Sequence, residues 1–162
     1  MSPSGIRILC LGNELLADDG AGLAVAALLR SRELGDGVQI AESAAGGLRS
    51  LDDIVGVQTL IVVDAVLTGK APPGTVRVLA GEELMAEQGA HPHALSLGAA
   101  VALARRLGLD APSRILAVAI EAADTTTLGA PICPAVQAGV EEAARRCEEL
   151  VRNSQLLSNR CR

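Results

Sequence analysis

The chain is predicted to be an α/β protein: a mainly parallel, twisted sheet of about five strands, with helices on both faces to make a three-layer α/β/α sandwich. Three observations predict it. Short apolar runs of strand length alternate with longer stretches of helical character, the pattern of a right-handed wound sheet. The run TLIVVDAV from Thr59 to Val66 is β-branched, apolar and broken only by Asp64, as a strand buried on both faces requires. A length of 162 residues with 49% hydrophobic content suits one domain that can bury a core without disulfides.

The elements follow in order. Ile6 to Leu11 is apolar and ends at Gly12, which suits a buried strand. Asp18 or Asp19 then precedes a helical stretch, GAGLAVAALLRSRE. Asp is a favoured N-cap, and acids are favourable near helix N-termini. One of the two is therefore expected to cap the helix while the other faces a cleft. Val38 to Glu42 is a second strand, and Gly46-Gly47 beyond it marks a turn or a close backbone approach. Leu48 to Val55 is a short helix. After the strand Thr59 to Val66, Lys70 to Gly74 is a turn and Thr75 to Leu79 a further strand, placed at an edge. Ala94 to Leu107 is a helix stopped at Gly108. Arg114 to Ile120 is a buried strand. Pro134 to Val151 is the last helix, with the charges of EEAARRCEELVR on its outer face. The polar tail from Asn153 to Arg162 is expected to fray, so residues 1–152 are taken as the domain.

Composition excludes several functions. The chain has no Phe, Tyr or Trp, so the stacking platforms that grip single-stranded nucleic acid are missing. A formal charge of -5 further disfavours a polyanionic partner. MSPSGIRILCLG lacks the tripartite build of a signal peptide, and no apolar stretch reaches membrane-spanning length. Cys10, Cys133, Cys147 and Cys161 form no CxxC pair and are expected to be reduced thiols. A cytoplasmic location is the expectation, with no membrane partner.

Three polar residues stand where such a fold builds its sites, beyond the carboxyl ends of strands. Asp19 follows the first strand. Asp64 closes the third, where a carboxylate buried without partners costs several kcal/mol, on the order of a full desolvation penalty. His93 opens a helix that topology delivers to the same rim. His91 and His93 flank Pro92 and diverge at a helix entry, so one ligand is expected rather than two. Two carboxylates and an imidazole suit a borderline divalent metal such as nickel or zinc. Neutral His93 would lose its affinity on acidification.

Other candidates are weaker. GNELLADDG lacks the G-x-G-x-x-G spacing, and its three acids would repel a pyrophosphate, so no nucleotide is expected. Glu121 and Asp124 follow the strand RILAVAI, and Glu42 ends the second strand. Each is able to line a site, but surface placement is the expectation. Cys10 lies within a strand and lacks the electropositive setting of a nucleophile.

The chain resembles the hydrogenase maturation endopeptidases, which process nickel-iron hydrogenase large subunits. The resemblance rests on ILCLGNELLADDGAGLAVAALL, the GGL after strand two, LIVVDAVLTGKAPPGTVRVL and HALSLGAAVALARRLG, and more loosely on the region from Arg114 to Ala144. It implies removal of a C-terminal peptide from the large-subunit precursor after nickel insertion, within a single α/β/α domain. The family's metal-contacting set falls on Asp19, Asp64 and His93, and Gly46 and Gly47 fall at its substrate-binding turn. The nickel is carried by the precursor, and no permanent organic cofactor is implied. One departure stands out: many members have Asp directly before the Gly-Gly, and this chain has Ala45.

Three mechanisms fit these residues. In the first, Asp19, Asp64 and His93 contact nickel held by the precursor and place an activated water at the scissile bond. In the second, the two carboxylates share a proton as an acid/base pair. In the third, the protein senses nickel-loaded precursors or acts as a scaffold for them without cutting.

Overall fold

The computed structural model describes residues 5–44, 51–80, 83 and 92–160; the side chains of 92–96 and 159–160 are not among them. Its centre is β3, Thr59–Val66, buried at all eight positions. β1 (Ile6–Leu11) and β5 (Arg114–Glu121) flank it in parallel. β2 (Val38–Ser43) pairs in parallel outside β1, and β4 (Val76–Ala80) pairs antiparallel outside β5. The order is β2-β1-β3-β5-β4, which is the mainly parallel five-stranded sheet expected, with β4 at an edge.

Alternation along the strands defines two apolar faces. Ile61, Val63 and Ala65 join Ile8, Cys10, Val118 and Ile120 against α1 (Ala21–Arg30) and α4 (Pro134–Arg160). Leu60, Val62 and Val66 join Leu9, Leu11, Ala117 and Ala119 against α2 (Leu51–Ile54) and α3 (Pro92–Arg106). Helices thus cover both faces. In place of aromatic bulk, buried alanines such as Ala21, Ala26, Ala143 and Ala144 line the α1 and α4 side, where those two helices pack on each other.

Helix boundaries follow from local chemistry. Four residues cannot sustain a helix alone, and α2 is held by Arg7, whose Nη1 donates to the carbonyls of Asp52, Asp53 and Val55 at 3.2, 2.8 and 2.9 Å. α3 begins at Pro92, two residues ahead of the predicted start, a natural first position for proline. It stops as predicted at Gly108, whose φ is +69°. The backbone N–H of Leu109 there donates to Ala104 O at 2.9 Å, a C-terminal closure of the kind glycine permits.

The tail corrects one expectation. α4 does not end at Val151 but runs to Arg160. Nothing from Val140 onward is Gly or Pro, so no breaker stops it. Ser154 is 4% exposed and its Oγ donates to Leu150 O at 2.8 Å, so this part of the tail packs on the domain.

α1 starts in contact with the sheet backbone. A Cβ at Gly22 would sit 2.1 Å from Leu11 O and 3.1 Å from Val63 O. Both obstacles are main chain and cannot rotate away. Gly22→Ala should therefore lower stability by at least about 2 kcal/mol, read as a lower urea midpoint at constant m-value. An unchanged midpoint would mean that α1 slides without cost.

Candidate active site

A wound sheet opens a crevice where successive connections diverge to opposite faces. Here that point lies between β1 and β3, because α1 covers one face and α2 the other. The last paired row of these strands is Cys10 with Val63. One residue further on, β1 reaches Leu11 and β3 reaches Asp64.

The loop after β1 folds tightly over this edge. Gly12 has φ +150°, and a Cβ there would strike Asp19 O at 2.1 Å. The backbone N–H of Asn13 donates both to Asp19 O at 3.2 Å and to Asp19 Oδ2 at 3.0 Å. The Asp19 N–H donates to Leu16 O at 2.9 Å. These bonds hold Asp19, half-buried, in a turn of 3-10 helix, Ala17–Gly20, that packs against β3.

Neither acid caps a helix, contrary to expectation. The residue at the cap of the 3-10 turn is Leu16 and that of α1 is Gly20, with no side-chain cap bond at either. Asp18 instead turns inward and is 1% exposed. Its Oδ2 accepts the N–H groups of Ala123 and Asp124 at 2.8 and 3.0 Å, and its Oδ1 accepts that of Cys133 at 2.8 Å. Burial alone would raise its pKa. The amide bonds from Cys133, Asp124 and Ala123 outweigh that and hold it below the usual carboxylate value.

Asp64 is 7% exposed. By alternation it projects on the α2 and α3 face of β3, in the row of Val62 and Val66. His93 lies in the first turn of α3, the helix that packs on this face. The far end of α3 is at the amino edge of the sheet, since Asp110 O just after it accepts the N–H of Gly56 ahead of β3. At about 1.5 Å per residue the helix rises far enough to carry Pro92 and His93 toward the carboxyl edge. The His93 side chain, and all of His91, Ala45, Gly46 and Gly47, lie outside the described residues. Among the described residues no three His, Cys, Asp or Glu side chains gather into a metal site.

The weaker candidates resolve into structure. Glu121 is not on the surface: it is 2% exposed. Its Oε1 accepts the N–H groups of Thr68 and Gly69 at 2.8 and 2.9 Å, and its Oε2 accepts the Thr68 hydroxyl at 2.7 Å. It ties down the loop that leaves β3 beyond Asp64. Asp124 closes a turn with Thr126 and Thr127. The Thr127 hydroxyl and these amides lower its pKa to about 2. Glu42 is exposed and ion-paired with Arg30. Cys10 and Cys147 are buried thiols; burial raises the pKa of Cys10 and pushes that of Cys147 up to about 12, which makes both poor nucleophiles.

Sequence reasoning missed Asp18 and Glu121 as anchors. Their partners lie up to 115 and 53 residues away, beyond any local pattern. Their one signal in the sequence is the cost of burying a carboxylate after an apolar segment, since both acids follow one.

The β1–β3 switch point, where α/β sheets bind their ligands, thus carries Asp64 in β3 and Asp19 in the turn folded over the end of β1. A family model for the HycI-type hydrogenase maturation proteases matches residues 23–150. Hydrogenase 2 maturation protease of Escherichia coli K12 is 29% identical over 152 residues, 92% of each chain. Hydrogenase expression/formation protein HupM of Azotobacter chroococcum is 32% identical over 146 residues, 88% of this chain and 69% of that one. Among solved structures, the E. coli maturating endopeptidase HybD superposes with a TM-score of 0.82 at 29% identity, covering 93% of both chains. HybD of Thermococcus kodakarensis gives 0.73 at 30% identity, covering 91% of this chain and 99% of that one. The chain belongs to the hydrogenase maturation protease family, and it is a peptidase.

The two anchors should respond differently to amide substitution. Gln at 121 keeps an oxygen for the two amides and lets its NH2 donate to the Thr68 hydroxyl, so Glu121→Gln should cost under about 1 kcal/mol. Asn at 18 turns an NH2 toward an amide N–H, so Asp18→Asn should cost about 2 kcal/mol or more. The pH dependence has a defined sign. The Asp18 contribution is fully present above its ordinary value of 3.8 and is lost as pH falls through the lowered folded value. Urea midpoints from pH 3 to 7 check both, and equal losses for the two amides would contradict the bonding described.

Proposed function

We propose that this peptidase removes the C-terminal peptide of a nickel-iron hydrogenase large-subunit precursor after nickel insertion, and that Asp19, Asp64 and His93 contact the nickel the precursor carries. The observation that supports the proposal is that the loop after β1 folds Asp19 back over Gly12 at the carboxyl end of β1, while Asp64 lies one residue beyond the last paired row of β1 and β3. His93, in the first turn of the helix that starts at Pro92, is the third residue of the proposed set. The names of the relatives, hydrogenase maturation proteases and endopeptidases, point to the same substrate class.

The chemistry is hydrolysis. Water adds to the scissile carbonyl carbon, the C–N bond breaks, and the departing amine takes a proton. Two carboxylates and a neutral imidazole are suitable donors for Ni2+, so only a nickel-loaded precursor would be drawn fully into the crevice. That contact would hold the scissile bond in place, and positioning is worth orders of magnitude in rate. Nickel is thus cargo read in the substrate, not a resident cofactor. His93 must be neutral to bind, so processing should weaken on acidification.

Asp19→Asn, Asp64→Asn and His93→Ala should each slow cleavage of a nickel-loaded precursor by roughly 100-fold or more. Gel or mass analysis of the precursor, at a temperature where each variant is shown to be folded, reads this. Wild-type rates in all three variants would sink the proposal.

A further inference from the structure

The segment that follows β5 is stitched to the loop that carries Asp19. Asp18 accepts three of its amides, from Ala123, Asp124 and Cys133. In return the Asp18 N–H donates to Asp124 O at 2.9 Å. Further along, Leu16 and Leu128 form an antiparallel bridge, and the Gly129 N–H donates to Leu15 O at 2.8 Å. Residues 123–133 thus form a strap across the outside of the 13–18 loop.

A second observation concerns the backbone under this strap. Ala17 has φ +45° and is the one non-glycine with positive φ among the described residues. An L-residue there is strained and persists where its surroundings over-determine it. The strained residue lies between Leu16, which bridges the strap, and Asp18, which clasps it. Asp19 comes next, its backbone held by Leu16 and Asn13.

We propose that Asp18 is a positioning residue for peptide cleavage: by clasping the strap 123–133 it holds the strained Ala17–Asp19 turn in the one conformation that points the Asp19 carboxylate into the crevice. The proposal rests on the role given to Asp19 above. Asp18 itself faces the strap, touches no reacting atom, and acts through its neighbour. Its charge matters because three N–H donors converge on it, and a neutral amide offers an acceptor to only some of them.

The test compares wild type with Asp18→Asn, Asp124→Ala, Asp19→Asn and Val151→Ala, all as full chains acting on nickel-loaded precursor. Val151 is buried in α4, and its truncation shows what loss of stability alone does to the rate. Hydrogen exchange at the amides of Ala123 and Cys133 reports whether the clasp has opened. Asp18→Asn is expected to lower kcat roughly tenfold or more, with KM within about twofold, because a misplaced group slows the step more than docking. Asp124→Ala loosens the strap from its exposed side and keeps the question answerable if Asp18→Asn does not fold. It should lower kcat several-fold in the same sense. If both variants exchange faster at the strap yet match Val151→Ala in kcat, the positioning role is wrong. Full activity of Asp19→Asn would overturn the role of Asp19 itself, a result distinguishable from the first.

Discussion

Main chain meets main chain where α1 springs from the sheet. Gly22 lies so close to the ends of β1 and β3 that a single methyl group would collide with Leu11 O, and Gly12 presses equally hard on Asp19 O. This close approach fixes the height and direction of the 3-10 turn between them. Side chains on such a turn have little choice of direction. Asp18 is driven inward to the strap, and Asp19 stays at the rim. Much of the site geometry is thus inherited from the backbone contact, with the side chains following.

The second determinant is how the chain handles polar groups at the carboxyl edge of a parallel sheet. Each strand there releases a loop whose amides need acceptors. Asp18 satisfies three amides of the segment after β5, and Glu121 satisfies two after β3. Both acids are almost wholly buried, and both bond to amides far away in sequence. They rigidify the rim from below, so that Asp19 and Asp64 project from a framework rather than from loose loops. Sites that must hold a substrate in one geometry gain from such support.

Much of the fold was legible in the sequence because burial on two faces demands continuous apolar runs. Ile6 to Leu11, Thr59 to Val66 and Arg114 to Ile120 met that demand in residue type alone. The edge position of β4 followed from its short, mixed composition. Polarity alone does not end a helix: with Ser154 buried and no breaker after Gly139, α4 continues through the polar tail. The proposed site is half legible in residue type. An acid within an apolar strand points to Asp64, and the acidic loop after β1 points to Asp19. Nothing local separated the inward Asp18 from the outward Asp19, because tertiary partners at Ala123, Asp124 and Cys133 decide which is which. The cap assignment failed for the same reason: the strap outcompetes the helix end for the Asp18 carboxylate.

For this peptidase, with Asp19 and Asp64 at the β1–β3 switch point, cleavage gated by nickel in the substrate is the proposal on which the rest depends. The most direct measurement is intact-mass spectrometry of a large-subunit precursor from the same source, prepared nickel-loaded and nickel-free, after incubation with this protein. Loss of a C-terminal peptide from the loaded precursor alone is the expected result. Equal cleavage of the nickel-free precursor would contradict it and shift the chemistry to the carboxylates themselves.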